Sequence, residues 1–143
     1  TSDGSPWRPL VHIRDIGNAI SEVLEAPIEA VSGEIFNVGD DSQNYRVRDI
    51  VEAVADKFPG CSVEIGKNNG DNRSYRVSFQ KIRDHLPGFR CEWDASSGAE
   101  ELRRVFERIH MTPDVFNAPP FTRLQQLKKL IATQQIDSQL FWQ

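Results

Sequence analysis

The stretch WRPLVHIRDIGNAI, Trp7 to Ile20, joins a short apolar run to an amphipathic helix. The run from Leu10 to Ile13 is apolar enough to predict a short buried strand. Asp15 is placed to cap the helix that follows. The helix repeats apolar residues at the spacing of one buried stripe, which consists of Ile16, Ala19, Ile20, Val23 and Leu24. A strand that leads directly into a helix is typical of an α/β protein.

The same alternation of short apolar runs and amphipathic helices continues along the chain. Residues 34–39 and 62–65 predict further short strands, whereas residues 47–58, 78–86, 97–109 and 124–131 predict helices. The segment from Met111 to Pro120 carries three prolines and is predicted to be irregular. The segment from Gln134 to Gln143 is polar apart from Ile136 and the cluster Leu140, Phe141 and Trp142. It is predicted to be a loosely docked tail that the cluster pins to the body; the alternative is that the cluster covers a partner subunit. We expect residues 1–143 to form a single helix-rich α/β domain with four or five helices and short strands.

Composition restricts the classes of function. The 143 residues include 17 Lys and Arg against 21 Asp and Glu, which gives a formal net charge of -4. This balance disfavours nucleic-acid binding, because no basic field covers the chain. Cys61 and Cys91 are too few for a disulfide scaffold or a zinc site. No window is long and apolar enough for a membrane span, and we expect a cytoplasmic protein without a membrane partner.

Several kinds of catalytic site are not predicted by this sequence. His12, His85 and His110 show no spacing that indicates a nucleophilic triad. No His, Cys or Asp cluster has the spacing of metal ligands, so no metal is expected. The loop from Gly66 to Gly70 lacks the strand and helix that flank a phosphate-binding turn. The chain by itself is not expected to be an enzyme, and no catalytic residue is predicted in it.

Four residues near the ends of predicted strands have the chemistry of an anion site. They are Arg8, Asn37, Arg73 and Tyr75. If the strand ends converge, as in α/β folds, two guanidinium groups, an amide and an aromatic ring share one cleft, which suits a nucleoside diphosphate. The alternative interpretation is that Arg73 and its neighbour Arg76 are solvent-facing charges that solubilise an edge strand.

Three motifs in register resemble one family. The segments are WRPLVHIRDIGNAI (Trp7–Ile20), GEIFNVGDD (Gly33–Asp41) and NRSYRVSFQKIRDHLPGF (Asn72–Phe89). They are similar to the extended short-chain dehydrogenase/reductases, the NAD-dependent nucleotide-sugar epimerases and dehydratases. The likeness extends from Arg8 to Ile109. It implies that the chain is the C-terminal part of a Rossmann-type enzyme and lacks most of the nucleotide-binding sheet.

The resemblance also implies roles for single residues. Arg8 and Arg73 match the arginines that clamp the diphosphate of the sugar nucleotide. Asn37 matches a position near the nucleotide, and Tyr75 matches an aromatic position beside the clamp. Arg76 matches no functional position. His12 and Asp15 are interpreted as structural, with His12 packed in the strand and Asp15 capping the helix.

The family's remaining machinery is not found in these residues. The glycine-rich NAD turn, the catalytic Ser or Thr and the Tyr-xxx-Lys pair lie upstream in the family, and neither Tyr45 nor Tyr75 begins such a pair. NAD or NADP is therefore expected in a longer parent enzyme, with no cofactor bound to this fragment. Its expected partners are the sugar nucleotide, the missing N-terminal Rossmann domain and, as one option, a second copy. The alternative is a non-catalytic interaction or dimerisation module of the same fold.

Overall fold

The computed structural model describes residues 3–67 and 73–143. These residues form two compact units, Thr1–Arg103 and Arg104–Gln143. Within the described ranges there are seven α-helices and one two-stranded sheet, which confirms the helix-rich α/β class but exceeds the four or five helices predicted. In chain order the elements are β1 (Trp7–Pro9), α1 (Ile13–Glu25), α2 (Ile28–Val31), β2 (Asn44–Arg46), α3 (Val47–Lys57), α4 (Gln80–His85), α5 (Ala95–Arg108), α6 (Pro113–Asn117) and α7 (Arg123–Ala132), with short 3-10 turns at Asp41–Gln43 and Pro119–Phe121.

The first strand lies earlier than the apolar run suggested. β1 pairs antiparallel with β2, with Trp7 opposite Arg46 and Arg8 opposite Tyr45. The strand predicted at residues 10–13 is wrong, because the chain turns there into α1. His12 is the N-cap of that helix, and its Nδ1 accepts a hydrogen bond from the backbone N–H of Arg14 at 3.3 Å. A side-chain acceptor at this position satisfies one of the open amides of the first turn.

Asp15 lies inside α1 and does not cap it, so that part of the prediction is wrong. The residue is completely buried. Its carboxylate accepts hydrogen bonds from the backbone N–H groups of Glu92 at 3.0 Å and Trp93 at 3.3 Å. A buried carboxylate is tolerated when such donors replace water. Asp15 therefore fixes the segment before α5 to the first turn of α1, which is a structural role.

The core of the first unit forms between α1 and α4. Its buried members are Ala19, Phe79, Ile82, Leu86 and Phe89. Only part of the predicted α1 stripe faces this core. Ala19 is 2% exposed, whereas Ile20 and Leu24 are 57% and 80% exposed. The sequence thus identified the apolar residues of α1, but the described core covers only one side of them.

Two predicted strands are not strands in this structure. Residues 34–38 and 61–67 have no regular secondary structure, although both ranges are described. The only sheet among the described residues is the β1–β2 pair. A strand requires a hydrogen-bonded neighbour, and an alternating side-chain pattern alone does not provide one.

The second unit contains α6, α7 and the last residues. The segment predicted to be irregular contains α6, which begins with Pro113 and is capped by Thr112 Oγ1, the acceptor for the Val115 amide at 3.2 Å. The helix predicted at residues 124–131 is confirmed as α7. In the tail, Ile136 is buried and bridges to Trp142. The predicted pinning by Leu140, Phe141 and Trp142 is wrong, because all three are exposed.

Candidate anion-binding site

Strand β1 lies between β2 and the segment that begins at Arg73. The backbone N–H of Trp7 donates to Ser74 Oγ at 3.1 Å, and the N–H of Tyr75 donates to the Trp7 carbonyl at 3.5 Å. Residues separated by more than sixty positions in the sequence therefore run side by side. This pairing is what brings the first and third motifs of the sequence together.

The side chain of Asn44 also binds the segment that begins at Arg73. Its amide nitrogen donates to the Val77 carbonyl at 3.0 Å, and its amide oxygen accepts the Val77 N–H at 2.9 Å. Asn44 is 8% exposed, so these bonds are largely shielded from water. The side chain thus replaces the hydrogen bonds of a neighbouring strand. Asn44 was not among the predicted residues, because a single Asn beside a turn carries no signal of such a distant partner.

Arg8 is the centre of the candidate site. Its Nη1 donates to its neighbour's carbonyl, Trp7 O, at 2.8 Å and to the Arg73 carbonyl at 2.5 Å. Its guanidinium carbon lies 5.6 Å from the centre of the Tyr75 ring, which is a cation–π contact. Three of the four predicted site residues, Arg8, Arg73 and Tyr75, are therefore in contact through a side chain or the backbone.

Two further arginines lie around Trp7. The guanidinium carbons of Arg46 and Arg76 are 5.1 Å and 4.8 Å from the Trp7 ring centre. Successive side chains of a strand point to opposite faces, so Trp7 and Arg8 are on different sides of β1. The sheet register places Tyr45 opposite Arg8 and Arg46 opposite Trp7. Arg76, for which no function was predicted, is thus assigned to the Trp7 face, away from Arg8.

Asn37 is not joined to the other three residues. It is exposed, and among the described residues no hydrogen bond or ring contact links it to Arg8, Arg73 or Tyr75. It lines a groove of about 190 Å³ together with Pro9, Leu10, Val11, Val38, Val77 and Phe79. Pro9, which lines this groove, directly follows Arg8 in the chain. Asn37 therefore lies on the surface next to the candidate site.

The turn before β2 is fixed by two aspartates. Asp41 Oδ1 accepts the Phe79 N–H at 2.9 Å, and its second oxygen pairs with the Arg83 guanidinium. The hydrogen bond from Phe79 and then the bond to Arg83 lower the pKa of Asp41. The pKa of Asp40 is lowered as well, chiefly by hydrogen bonds from Ser42. These carboxylates tie the start of α4 to the loop that leads into β2.

His12 belongs to a cluster that sequence reasoning did not find. Its ring stacks on Trp93 with centres 4.3 Å apart, and its Nε2 lies 2.9 Å from Glu101 Oε2. Arg14 lies over the Trp93 ring at 5.0 Å and also pairs with Glu101 at 2.6 Å. His12 was predicted to pack within a strand; that prediction is wrong, although a structural role fits these contacts. The cluster borders an apolar cavity of about 420 Å³ lined further by Val11, Ile50, Val54, Ala99 and Leu102.

The glycines do not form a dinucleotide-binding turn. Those with positive φ in the described residues are Gly4, Gly33, Gly39 and Gly60. They are far apart in sequence, whereas a dinucleotide site needs clustered glycines between a strand and the helix that it enters. Residues 3–67 and 73–143 therefore show no glycine-rich turn of this kind.

Residues 1–39 match the model of the NAD dependent epimerase/dehydratase family. The resemblance to this epimerase/dehydratase family is confirmed. The match covers the segment that supplies β1, α1 and Arg8. No curated protein matches the chain.

One solved structure is similar to this chain in fold. It is a short-chain dehydrogenase/reductase superfamily protein from Agrobacterium tumefaciens with bound NAD. The two structures superpose with a TM-score of 0.60 at 23% sequence identity, over 74% of this chain and 32% of that chain. This likeness confirms the predicted fold class. The chain spans about a third of the length of that solved structure. In the described residues, no helix is long and apolar enough to cross a membrane.

Proposed function

We propose that this chain is the substrate-binding portion of an NAD- or NADP-dependent nucleotide-sugar epimerase or dehydratase. The epimerase/dehydratase match over residues 1–39 supports the class of enzyme. The observation that carries the substrate assignment is the position of Arg8, whose guanidinium lies against the Arg73 carbonyl at 2.5 Å and 5.6 Å from the Tyr75 ring centre. In this proposal Arg8 and Arg73 bind the diphosphate, while Tyr75 and Asn37 contact the nucleoside.

The local charge supports an anionic ligand. The chain has a net charge of -4, yet arginines are concentrated on β1 and its two neighbouring segments. A planar guanidinium matches the paired oxygens of a phosphate and is less strongly hydrated than an ammonium group. Because Nη1 of Arg8 is held by two carbonyls, the plane of the group is fixed before a ligand arrives, which reduces the entropy lost on binding.

The chemistry of the parent enzyme is assigned to protein outside these residues. Hydride transfer to and from the nicotinamide needs a bound NAD or NADP, and proton transfer in this family needs the Tyr-xxx-Lys pair. Neither is supplied by the described residues. We therefore propose that the chain positions the sugar nucleotide and has no activity by itself, which is a contribution through proximity.

The test is titration of the purified chain with UDP and dTDP by calorimetry. We expect weak binding, and we expect Arg73→Ala to weaken it by about tenfold or more, because a charge-assisted hydrogen bond contributes roughly 1.5–3 kcal/mol. Arg8→Ala should have the same effect. The matched control is Arg76→Ala, whose guanidinium lies at the Trp7 ring, and its affinity should equal that of the unchanged chain.

Two results would contradict the proposal. If neither UDP nor dTDP binds, the chain is not a nucleoside diphosphate-binding unit. If Arg73→Ala and Arg76→Ala weaken binding equally, the arginines act only as a diffuse positive field. Thermal unfolding of each variant, together with circular dichroism, checks that the substituted chains remain folded.

A further inference from the structure

Asn44 connects the two segments that carry the arginines of the candidate site. It is the first residue of β2 and lies opposite Pro9 in the β1–β2 pair, and Pro9 directly follows Arg8. Its side chain binds both backbone groups of Val77, which lies four residues after Arg73. One side chain therefore joins the strand beside Arg8 to the segment of Arg73.

The amide of Asn44 is fully occupied by these contacts. Its Nδ2 donates to the carbonyls of Val77 and Asp41, both at 3.0 Å, and its Oδ1 accepts the Val77 N–H at 2.9 Å. A side-chain amide has two N–H donors, so neither is left over. The residue is only 8% exposed. Because the amide is buried and paired on both its nitrogen and its oxygen, its orientation is fixed.

The backbone of Val77 depends on Asn44 for its hydrogen bonds. Within residues 3–67 and 73–143, no other group bonds to its N–H or its carbonyl. The bonds of the same segment to β1 are less protected: Ser74 Oγ accepts the Trp7 N–H at 3.1 Å, and the Tyr75 N–H reaches the Trp7 carbonyl at 3.5 Å. Ser74 and Tyr75 are both exposed, and water can replace such bonds more easily than shielded ones. The bonds from Asn44 are therefore the shielded anchor nearest to Tyr75.

Any effect of Asn44 on a ligand has to act through other residues. Its amide is buried and its bonds go to backbone groups, so it presents no free group to a ligand. The segment that it anchors carries Arg73 and Tyr75, and Arg8 contacts both, the Arg73 carbonyl at 2.5 Å and the Tyr75 ring centre at 5.6 Å. A shift of this segment would change the separation of the two arginines, and a binding site tolerates only small errors of position.

We propose that Asn44 is a positioning residue for nucleoside diphosphate binding, whose bonds to Val77 hold Arg73 and Tyr75 at the distance from Arg8 that the diphosphate requires. This inference rests on the proposed function. Holding the segment in place before the ligand arrives reduces the entropy that binding loses. Removal of the Asn44 amide therefore weakens binding although no contact with the ligand is removed.

Titration of the 143-residue chain with UDP, followed by NMR chemical shifts, tests the proposal. We expect Asn44→Ala to weaken UDP binding by about tenfold, because the shielded N–H and carbonyl of Val77 lose their partners. Asn44→Asp has the same size and keeps the acceptor for the Val77 N–H, but it places an oxygen against the Val77 carbonyl. It should also weaken binding, and it replaces the alanine variant if that variant does not fold.

The matched control is a variant destabilised elsewhere. Asp15→Asn disturbs the backbone amides of Glu92 and Trp93, and its UDP affinity under folding conditions should equal that of the unchanged chain. Amide hydrogen exchange gives a readout without ligand. In Asn44→Ala the Val77 amide should exchange at least about tenfold faster while the amides of α1 keep their rates, because the opening is local.

A double substitution tests whether Asn44 acts through Arg73. In an Arg73→Ala background, Asn44→Ala should weaken UDP binding by a smaller factor than in the unchanged chain, because one of the two groups that it positions is already missing. Equal factors in the two backgrounds would show that Asn44 does not position this arginine, and would overturn the proposal.

Failure of this inference can be told from failure of the proposed function. If the unchanged chain does not bind UDP, the substrate assignment is lost, and the role of Asn44 with it. If the unchanged chain and Asn44→Ala bind UDP equally well, only the role of Asn44 is lost. Equal weakening in Asn44→Ala and Asp15→Asn would assign the effect to stability alone and would also overturn that role.

Discussion

Asp15 shows how much one residue can contribute through contacts that are distant in sequence. Its two carboxylate oxygens accept the amides of Glu92 and Trp93, which are separated from it by 77 and 78 positions. The residue is fully buried. Without this acceptor, two backbone N–H groups would be shielded from water with no partner, which is costly.

Asp15→Asn should therefore destabilise the chain. The asparagine keeps one acceptor oxygen but places an N–H₂ group against a backbone donor. We expect the free energy of unfolding to fall by about 1–3 kcal/mol. Urea denaturation monitored by tryptophan fluorescence measures this change. The matched control is Asp56→Asn, an exposed aspartate whose loss should change stability by less than about 1 kcal/mol. Equal midpoints for Asp15→Asn and the unchanged chain would show that the carboxylate is not a structural anchor.

Single residues were selected from the sequence where their side-chain chemistry is distinctive. The guanidinium groups and the tyrosine of the candidate site were selected for their hydrogen-bonding and ring chemistry, and the structure brings Arg8, Arg73 and Tyr75 into contact. Asp15 was assigned to a helix cap because aspartate favours that position. Its actual partners follow it by more than seventy residues, and no local pattern contains that information.

At the scale of elements, two glycines differ in the space that surrounds them. Gly39 has φ +154°, and a Cβ atom there would lie 2.6 Å from Cε1 of Phe79, a residue only 4% exposed. Gly17 is inside α1, where an added Cβ atom meets nothing within 4 Å. A side chain at position 39 would clash with the core, whereas one at position 17 would contact no other residue.

The two alanine substitutions should act in opposite directions. Gly39→Ala forces a methyl group into a buried ring and should lower stability by about 1–3 kcal/mol. Gly17→Ala should raise it by up to about 1 kcal/mol, since alanine favours the helix and restricts the unfolded chain. Thermal unfolding of both variants measures the shifts. An unchanged or higher melting temperature for Gly39→Ala would contradict the contact described for Phe79, and a lower one for Gly17→Ala would contradict the open position described there.

Helices were predicted better than strands, for a physical reason. The helix stripe from Val47 to Phe58 became α3, and the stripe beginning near Ser97 became α5, because the hydrogen bonds of a helix join residues four positions apart. The strands predicted at residues 34–39 and 62–65 have no partner among the described residues. The pattern of a strand is local, but its hydrogen bonds are not.

At the scale of the whole molecule, carboxylates held by hydrogen bonds or ion pairs make stability depend on pH. The pKa values of five acidic groups are lowered, each chiefly by hydrogen bonds from its neighbours. They are Asp3, Glu34, Asp40, Asp41 and Asp94. Since the folded pKa lies below the unfolded value, the unfolded chain binds protons first as pH falls.

We expect the free energy of unfolding to be constant above the ordinary pKa values of these groups, about 4 to 4.5, and to fall as the pH drops through their lowered values. Urea midpoints measured from pH 6 down to pH 2 test this. Asp41→Asn loses the ion pair with Arg83 and should reduce the slope of the acid limb. An acid limb of unchanged slope in that variant would remove Asp41 from the titrating set.

A change at alkaline pH should come from one thiol. Burial is the main cause that raises the pKa of Cys91 to about 11. The raised folded pKa means that stability is present below the ordinary thiol pKa of roughly 8.5 to 9 and is lost as pH rises from there towards 11. Cys91→Ala should flatten this limb in the same urea measurements. A limb that persists in the variant would assign the loss to another group.

The sequence by itself determined the helix-rich α/β class and the approximate positions of the longer amphipathic helices, because these depend on local periodicity, and it selected the candidate site residues by their side-chain chemistry. Only the tertiary structure decided that β1 is Trp7–Pro9 and that Asp15 is a buried anchor. It also decided that the Asn44 side chain makes hydrogen bonds to the backbone of Val77. Those features are hydrogen bonds between segments far apart in the chain, and their partners are chosen by the packing of the whole unit.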